Sequence, residues 1–167
     1  RTAPETSRAL SDVADVVVDA ALRLAEREVA ADPNDGGELQ TRMCVVAMGR
    51  FGGREMGYGS DADVMFVHDP LPGADETRAQ SQAVAIATRL RALLGGAGVE
   101  PALEIDADLR PEGRNGPLVR TLAAYAEYYG RWSAPWEAQA LLRARPMAGD
   151  PGLCERFVEL VAPVRYP

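Results

Sequence analysis

Gly49-Arg50-Phe51-Gly52-Gly53-Arg54-Glu55-Met56-Gly57-Tyr58-Gly59-Ser60-Asp61-Ala62-Asp63-Val64-Met65-Phe66 is the stretch on which the reading of this chain turns. A glycine-rich turn ends in Gly59-Ser60, and two aspartates follow, one residue apart, at the start of an apolar run. Alternation along a strand puts Asp61 and Asp63 on the same face. Two hard oxygen donors beside a Gly-Ser turn suit a magnesium ion together with a phosphate chain. Successive N–H groups of Gly57-Tyr58-Gly59-Ser60 can meet an anion, and the Ser60 hydroxyl can donate to a phosphate oxygen. Glycine permits the close backbone approach. No G-x-x-x-x-G-K-[ST] occurs, so this is not a Walker loop. The pattern points to nucleotidyl transfer.

Such chemistry needs a triphosphate neutralised and a hydroxyl aligned with phosphorus. Two shared carboxylates ordinarily need a third. Glu104, Asp106 and Asp108 alternate with Leu103, Ile105, Ala107 and Leu109 further along, which predicts a half-buried strand with an acidic outer face. Taken alone, each motif also fits a solvated strand end or a wet sheet face.

Working outward, Thr2-Ala3-Pro4-Glu5 opens a helix with a capping-box pattern. Leu10, Val13, Val17, Ala20, Ala21 and Leu24 predict its buried stripe, as far as about Ala31. Asp32 to Gly37 makes a turn. Met43 to Met48 reads as a central strand, and Ala62 to Val67 as the next. A helix starting at Asp75 or Thr77 carries Ala79, Ala83, Ile86, Leu90 and Leu94 and stops at Gly95-Gly96. Pro111 to Pro117 is a loop. Thr121 to Trp132 and Trp136 to Arg143 read as helices broken at Ser133-Ala134-Pro135, and Pro151 to Val161 as a last helix. This order gives an α/β (α+β) core in three stretches: 1–38 a helix and turn packing on the core, 39–120 the core itself, and 121–167 a helical extension.

The 167 residues suit one domain, and 47% hydrophobic with 26% charged residues is ordinary for a soluble protein. A first residue of Arg1 leads us to expect a piece of a longer chain. No apolar run approaches the ~18 residues of a membrane span, and no secretory signal is visible. We therefore expect a cytoplasmic protein with no membrane role. A formal net charge of −7 disfavours nucleic acid as a partner. The two cysteines, Cys44 and Cys154, lack metal-ligand spacing and read as small buried apolar residues. His68 reads as a satisfied strand-end residue, Trp132 and Trp136 as packing residues, and Tyr125, Tyr128 and Tyr129 as core or interface.

Three blocks resemble one family. Residues 49–66, quoted above, resemble the active-site segment of the glutamine synthetase adenylyltransferases. E-I-D-A-D-L-R-P-E-G-R-N-G-P-L-V (residues 104–119) is similar to that family's second block, and W-E-A-Q-A-L-L-R-A-R-P-M-A-G-D (residues 136–150) to its third. The resemblance implies a polymerase-β-like nucleotidyltransferase core with a small mixed sheet, flanked by N- and C-terminal helices. It implies a reaction that moves AMP from ATP to a tyrosine of glutamine synthetase, with two Mg²⁺ ions for which Mn²⁺ can substitute. Regulation through a PII-type signal protein in the full-length enzyme is implied as well. The family has two such domains: one adds AMP, the other removes it by phosphorolysis. Met56-Gly57-Tyr58-Gly59-Ser60 looks more like the adenylylating copy. Carried over by position, Asp61, Asp63 and Asp106 match the metal and catalytic acids. Gly57, Gly59 and Ser60 match the phosphate-side turn, with Arg50 and Arg110 beside the nucleotide and Arg143 or Arg145 as further candidates. Two positions depart: Arg50 stands where the family often has Lys, and Asp108 where many members have Arg. The second departure leaves the third ligand open between Asp106 and Asp108. Other readings remain: the reverse reaction, a non-catalytic nucleotide-sensing module, or a small-molecule nucleotidyltransferase.

Overall fold

The structure, a computed structural model, describes residues 2–34, 37–98, 101–132 and 134–166. Asp35 and Gly36 of the expected first turn, and Ser133 of the expected helix break, lie outside the described residues.

Among the described residues, helix α1 spans Ala3–Ala31 and strand β1 spans Thr41–Ala47. The short helix α2 (Gly49–Gly52), strand β2 (Ala62–Pro70) and helix α3 (Glu76–Gly95) follow. Then come β3 (Ile105–Asp106), a 3-10 turn over Gly113–Asn115 and β4 (Val119–Thr121). Helices α4 (Leu122–Arg131) and α5 (Pro135–Leu141), strand β5 (Arg145–Gly149) and helix α6 (Pro151–Arg165) complete the chain. No helix among the described residues is long and apolar enough to cross a membrane.

The sheet is mixed and small, in the order β3-β2-β1-β5, with β4 also pairing β2. β1 is antiparallel to both β2 and β5, whereas β3 and β4 run parallel to β2. The free edge of β2 is therefore split: Ala62 and Asp63 face β3, and Phe66 to His68 face β4. On the other edge the β1–β5 register shifts between Val45 and Val46, and Gly149, paired with Cys44, lets β5 run close to β1. Gly149 has φ +110°, and a Cβ there would come within 2.1 Å of the Met43 carbonyl oxygen.

Side-chain alternation separates two cores. Met43, Val45, Ala47, Ala62, Val64 and Phe66 face α1 and α3. Cys44, Val46, Met48, Met65 and Val67 face α4, α5 and α6. Both faces are covered, so β1 and β2 read as near-continuous apolar runs. Tyr125 fixes the second layer: it is fully buried, its hydroxyl donates to the Phe66 carbonyl oxygen at 2.9 Å, and its ring meets Phe157 edge-on. Burying one such large side chain contributes roughly 1.5–3 kcal/mol.

Several expectations need correction. The strand expected over Leu103–Leu109 shrinks to two residues. The Asp106 carboxylate accepts the Asp108 N–H at 2.7 Å and the Arg110 N–H bonds back to the Ala107 carbonyl, which turns the chain out of the sheet. The segment 121–167 is not wholly helical, because its strand β5 completes the core sheet beside β1. The buried stripe of α1 is Ser11, Ala14, Val18, Ala21, Leu22, Ala25 and Val29, not the expected set, and Val13, Val17 and Leu24 are exposed. Valines at 16, 17 and 18 blur the phase in the sequence, and small alanines let α1 approach α3 closely. Trp132 is 73% exposed and Trp136 is 45% exposed, so neither is a core packing residue.

Candidate active site

β1 ends at Ala47 and β2 begins at Ala62, so the glycine-rich segment is the connection of an antiparallel pair. It is long and held in place from three sides. The Met48 N–H bonds to the Asp63 carbonyl at 2.8 Å, which carries the ladder to the edge of the site. From α1, the Ser11 hydroxyl accepts the Met56 N–H at 3.3 Å, and Asp12 pairs with Arg54. Arg54 has φ +57°, a left-handed conformation uncommon for a residue that carries a Cβ. From β5, Arg145 forks onto both oxygens of Asp15 at 3.0 Å and donates to the carbonyls of Phe51 and Gly52. A polar residue inside α1's buried stripe was the one sequence signal for Ser11.

The turn itself closes through Ser60. Its hydroxyl oxygen accepts the Gly57 N–H at 3.0 Å, and its own N–H bonds to the Gly57 carbonyl at 3.2 Å. The hydroxyl proton of Ser60 stays free to donate. Gly59 has φ +70° with open space where a Cβ would stand, and Tyr58 is 84% exposed. The turn thus presents to solvent, with two of its four expected anion donors engaged internally.

Asp63 and Asp106 are direct partners across the parallel β2–β3 pair. Equal register means equal face, and Ala62 with its partner Ile105 lies in the α1/α3 core. The two aspartates therefore share the opposite face, at the end of β2. The Ala62 N–H bonds to the Glu104 carbonyl at 2.9 Å and keeps the pair in step. Asp61 is exposed, while Asp63 and Asp106 are half-buried. Burial, then Asp106, then Asp61 push the Asp63 carboxyl up to about 6, against which only the Arg50 guanidinium works. Burial and crowding of like charges act in the same direction here. Asp61, Asp106, Asp108, Arg91 and Arg114 line an open depression beside this cluster.

Asp108 is differently placed. Its carboxylate takes Arg114 Nε at 2.5 Å and lies 3.6 Å from Arg110. Arg110 and Arg114 thus flank Asp108, whose charge still adds to the push on Asp63, while Asp106 is the residue that pairs with Asp63 across the ladder. Glu104 lines the same depression, with its carboxylate beside Gly95. Among the described residues no group of three Asp, Glu, His or Cys side chains is close enough to form a ready-made metal cage. The donor set nonetheless fits a divalent cation: hard oxygens only, with Asp63 raised first by burial and then by its acidic neighbours.

The arginines divide. Arg110 is 11% exposed at its side chain and donates to the carbonyls of Ala107, Gly116 and Arg114, so it ties the 107–116 loop together. Arg145 is engaged as described, and Arg143 pairs with Glu55 at 2.6 Å. Arg50, exposed on α2, is the guanidinium whose field reaches Asp63.

Two residues escaped the sequence reading. Gly49 has φ +52°, and a Cβ on it would stand 2.5 Å from Asp63 Oδ2, so glycine is what leaves room for that carboxylate. Glu137 is 2% exposed and accepts from the Glu112 N–H (3.2 Å), the Tyr128 hydroxyl (2.7 Å) and the Ala134 N–H (2.7 Å). It fastens the α4–α5 corner to the loop that follows Asp106. A Glu two residues after Pro135, in the first turn of α5, was the signal. His68 is fully buried between Thr41 and Gln80, which hold its two ring nitrogens at 2.8 and 2.6 Å.

The family model described as glutamate–ammonia ligase adenylyltransferase matches residues 1–160. Over 163 residues the chain is 54% identical to a bifunctional glutamine synthetase adenylyltransferase/adenylyl-removing enzyme of Mycobacterium tuberculosis (strain ATCC 25618 / H37Rv), which covers 98% of this chain and 16% of that protein. A protein of the same name from Nocardia farcinica is 52% identical over 98% of this chain and 16% of its own length. One from Streptomyces avermitilis is 53% identical over 95% of this chain and 15% of its own length. The chain thus spans about one sixth of the length of these relatives. With the family model matching nearly its whole length and its mixed sheet gathering the expected acids, the chain belongs to the glutamate–ammonia ligase adenylyltransferase family.

Proposed function

We propose that this domain transfers AMP from ATP to a tyrosine hydroxyl of glutamine synthetase and releases pyrophosphate, at a divalent-cation site made by Asp61, Asp63 and Asp106. The observation that carries this reading is the lateral pairing of Asp63 with Asp106 beside a glycine-rich turn. The choice of target rests on the relatives' name. The direction rests on Met56-Gly57-Tyr58-Gly59-Ser60, whose wording resembles the adenylylating copy. In this reading the domain works in the cytoplasm, and a PII-type signal protein acts through the longer chain.

Magnesium, when bound, supplies charge neutralisation of the triphosphate and a more acidic acceptor hydroxyl. The protein's own groups do the rest. Asp63 must lose its proton to hold a cation, and its elevated pKa makes that a competition between proton and metal. The Ser60 hydroxyl, oriented by the Gly57 N–H, donates to a phosphate oxygen, and Arg50 offsets phosphate charge from the exposed side. The α1 and β5 contacts hold this turn before substrate arrives, so little ordering remains at binding. The acceptor oxygen then forms its bond to the α-phosphorus while the bond to pyrophosphate breaks.

The test is incorporation of labelled AMP into glutamine synthetase by this chain. An Asp61→Asn/Asp63→Asn variant is expected to lose about 100-fold or more of that activity, and a variant with undiminished incorporation overturns the site. The second half of the relatives' name favours one other reading, phosphorolytic removal of AMP. Supplying adenylylated glutamine synthetase with phosphate and assaying ADP separates the two directions.

A further inference from the structure

The two cysteines lie 110 positions apart in sequence, yet Cys44 Sγ and Cys154 Sγ are 2.8 Å apart. Both are free thiols, and the chain has no other cysteine. A disulfide bond is ~2.05 Å long, so closure asks for a shift of under about 1 Å. We propose that Cys44 and Cys154 form an oxidisable dithiol that a peroxide converts to an intramolecular disulfide joining β1 to α6. This proposal does not rest on the nucleotidyl-transfer reading.

The two thiols have different surroundings, and these assign their roles. Cys44 is 0% exposed on the central strand, between its partners Val67 on β2 and Gly149 on β5. It cannot swing out to meet a bulky reagent. Cys154 is only partly buried, in the first turns of α6, with the Ala148 carbonyl 3.7 Å from its sulfur. The hydrogen bond between the thiols and burial push Cys44 strongly up, and the same hydrogen bond holds Cys154 below the usual thiol range. Asp150, the α6 cap, is the charged group facing both, and it opposes thiolate formation at each. The proton therefore stays on Cys44, and Cys154 is the nucleophile.

The steps balance. The Cys154 thiolate attacks a peroxide oxygen; an S–O bond forms, the O–O bond breaks, and hydroxide leaves to take up a proton as water. The Cys44 sulfur then attacks the Cys154 sulfenic sulfur. An S–S bond forms, the S–O bond breaks, and water leaves with the Cys44 proton. Two electrons pass from the thiol pair to the peroxide. A buried resolving thiol in contact favours this outcome over further oxidation of Cys154.

The experiment treats the reduced chain with stoichiometric hydrogen peroxide, alkylates the remaining thiols and maps the peptides by mass spectrometry. The expected product is a monomer lighter by two hydrogen atoms, with Cys44 and Cys154 peptides linked and separated again by dithiothreitol. In Cys44→Ser, Cys154 is expected to stop at a dimedone-reactive sulfenic acid; in Cys154→Ser, Cys44 stays unmodified. The wild-type map decides the matter even if a variant fails to fold. Full alkylation of both cysteines after peroxide, or covalent dimers through Cys154 without the internal link, overturns the proposal.

Discussion

Asp63 titrates at about 6 because burial, Asp106 and Asp61 all oppose its charge. Between the ordinary 3.8 and about 6 the folded chain keeps a proton that the unfolded chain has lost. The stability this group contributes is therefore complete below 3.8 and disappears as pH rises through about 6. A divalent cation held by Asp63 would take the place of that proton above the transition. Magnesium is expected to raise the thermal midpoint at about pH 7.5 and to have little effect at about pH 5. Asp63→Asn should raise the cation-free midpoint at the higher pH and abolish the magnesium response. Differential scanning calorimetry reads both. Gly49 makes a second prediction at this scale. Alanine there meets Asp63 Oδ2 and sits at φ +52°. Gly49→Ala is expected to cost about 1–2 kcal/mol of stability and, through displacement of Asp63, about 100-fold in AMP transfer. Urea denaturation and the labelled-AMP assay measure these.

Long elements showed their presence in the sequence, though not always their buried face; short ones did not. α3 was read with its stripe and its terminating glycines, one of its two candidate caps being Asp75, because Ala79, Ala83, Ile86, Leu90 and Leu94 repeat over about four turns. Alternation could anticipate that Asp63 and Asp106 each point away from an apolar neighbour, but not that β2 and β3 would set them side by side. α2, β4 and β5 have four, three and five residues, less than a recognisable pattern, and tertiary contact decides them. β5 reads Arg-Pro-Met-Ala-Gly, which shows no strand signature, and a bulge against β1 accommodates it. The loop-fastening bonds of Arg110 could not be foreseen, because carbonyl acceptors carry no sequence mark. Buried polar fasteners give predictions at this scale. Glu137→Ala strands the Glu112 N–H and the Tyr128 hydroxyl and is expected to cost about 2–4 kcal/mol. Ser11→Ala frees the Met56 N–H and should cost about 1–2 kcal/mol. Chemical denaturation of each variant checks the values.

At the scale of the whole molecule, two cores meet on one sheet, and β1 is its centre, with neighbours on both edges and helices on both faces. Residues Met43 to Ala47 are at most 1% exposed. Their amides are expected to be the slowest in native-state hydrogen exchange, opening only with global unfolding. A net charge of −7 and a carboxylate-lined depression oppose an approaching triphosphate. ATP with EDTA is therefore expected to give no measurable binding heat by calorimetry, and ATP with magnesium a clear isotherm. Equal binding in both conditions would favour a nucleotide-sensing module over a transferase.

The acid facing Asp63 hangs on the smallest ladder in the protein, the two residues of β3 and one flanking hydrogen bond from Ala62. Almost none of the folding cooperativity passes through that ladder, yet the alignment of the carboxylates does. A slip of β3 by one residue against β2 would therefore carry Asp106 to the apolar side and Ile105 into its place, parting the two carboxylates while the rest of the sheet keeps its pairing.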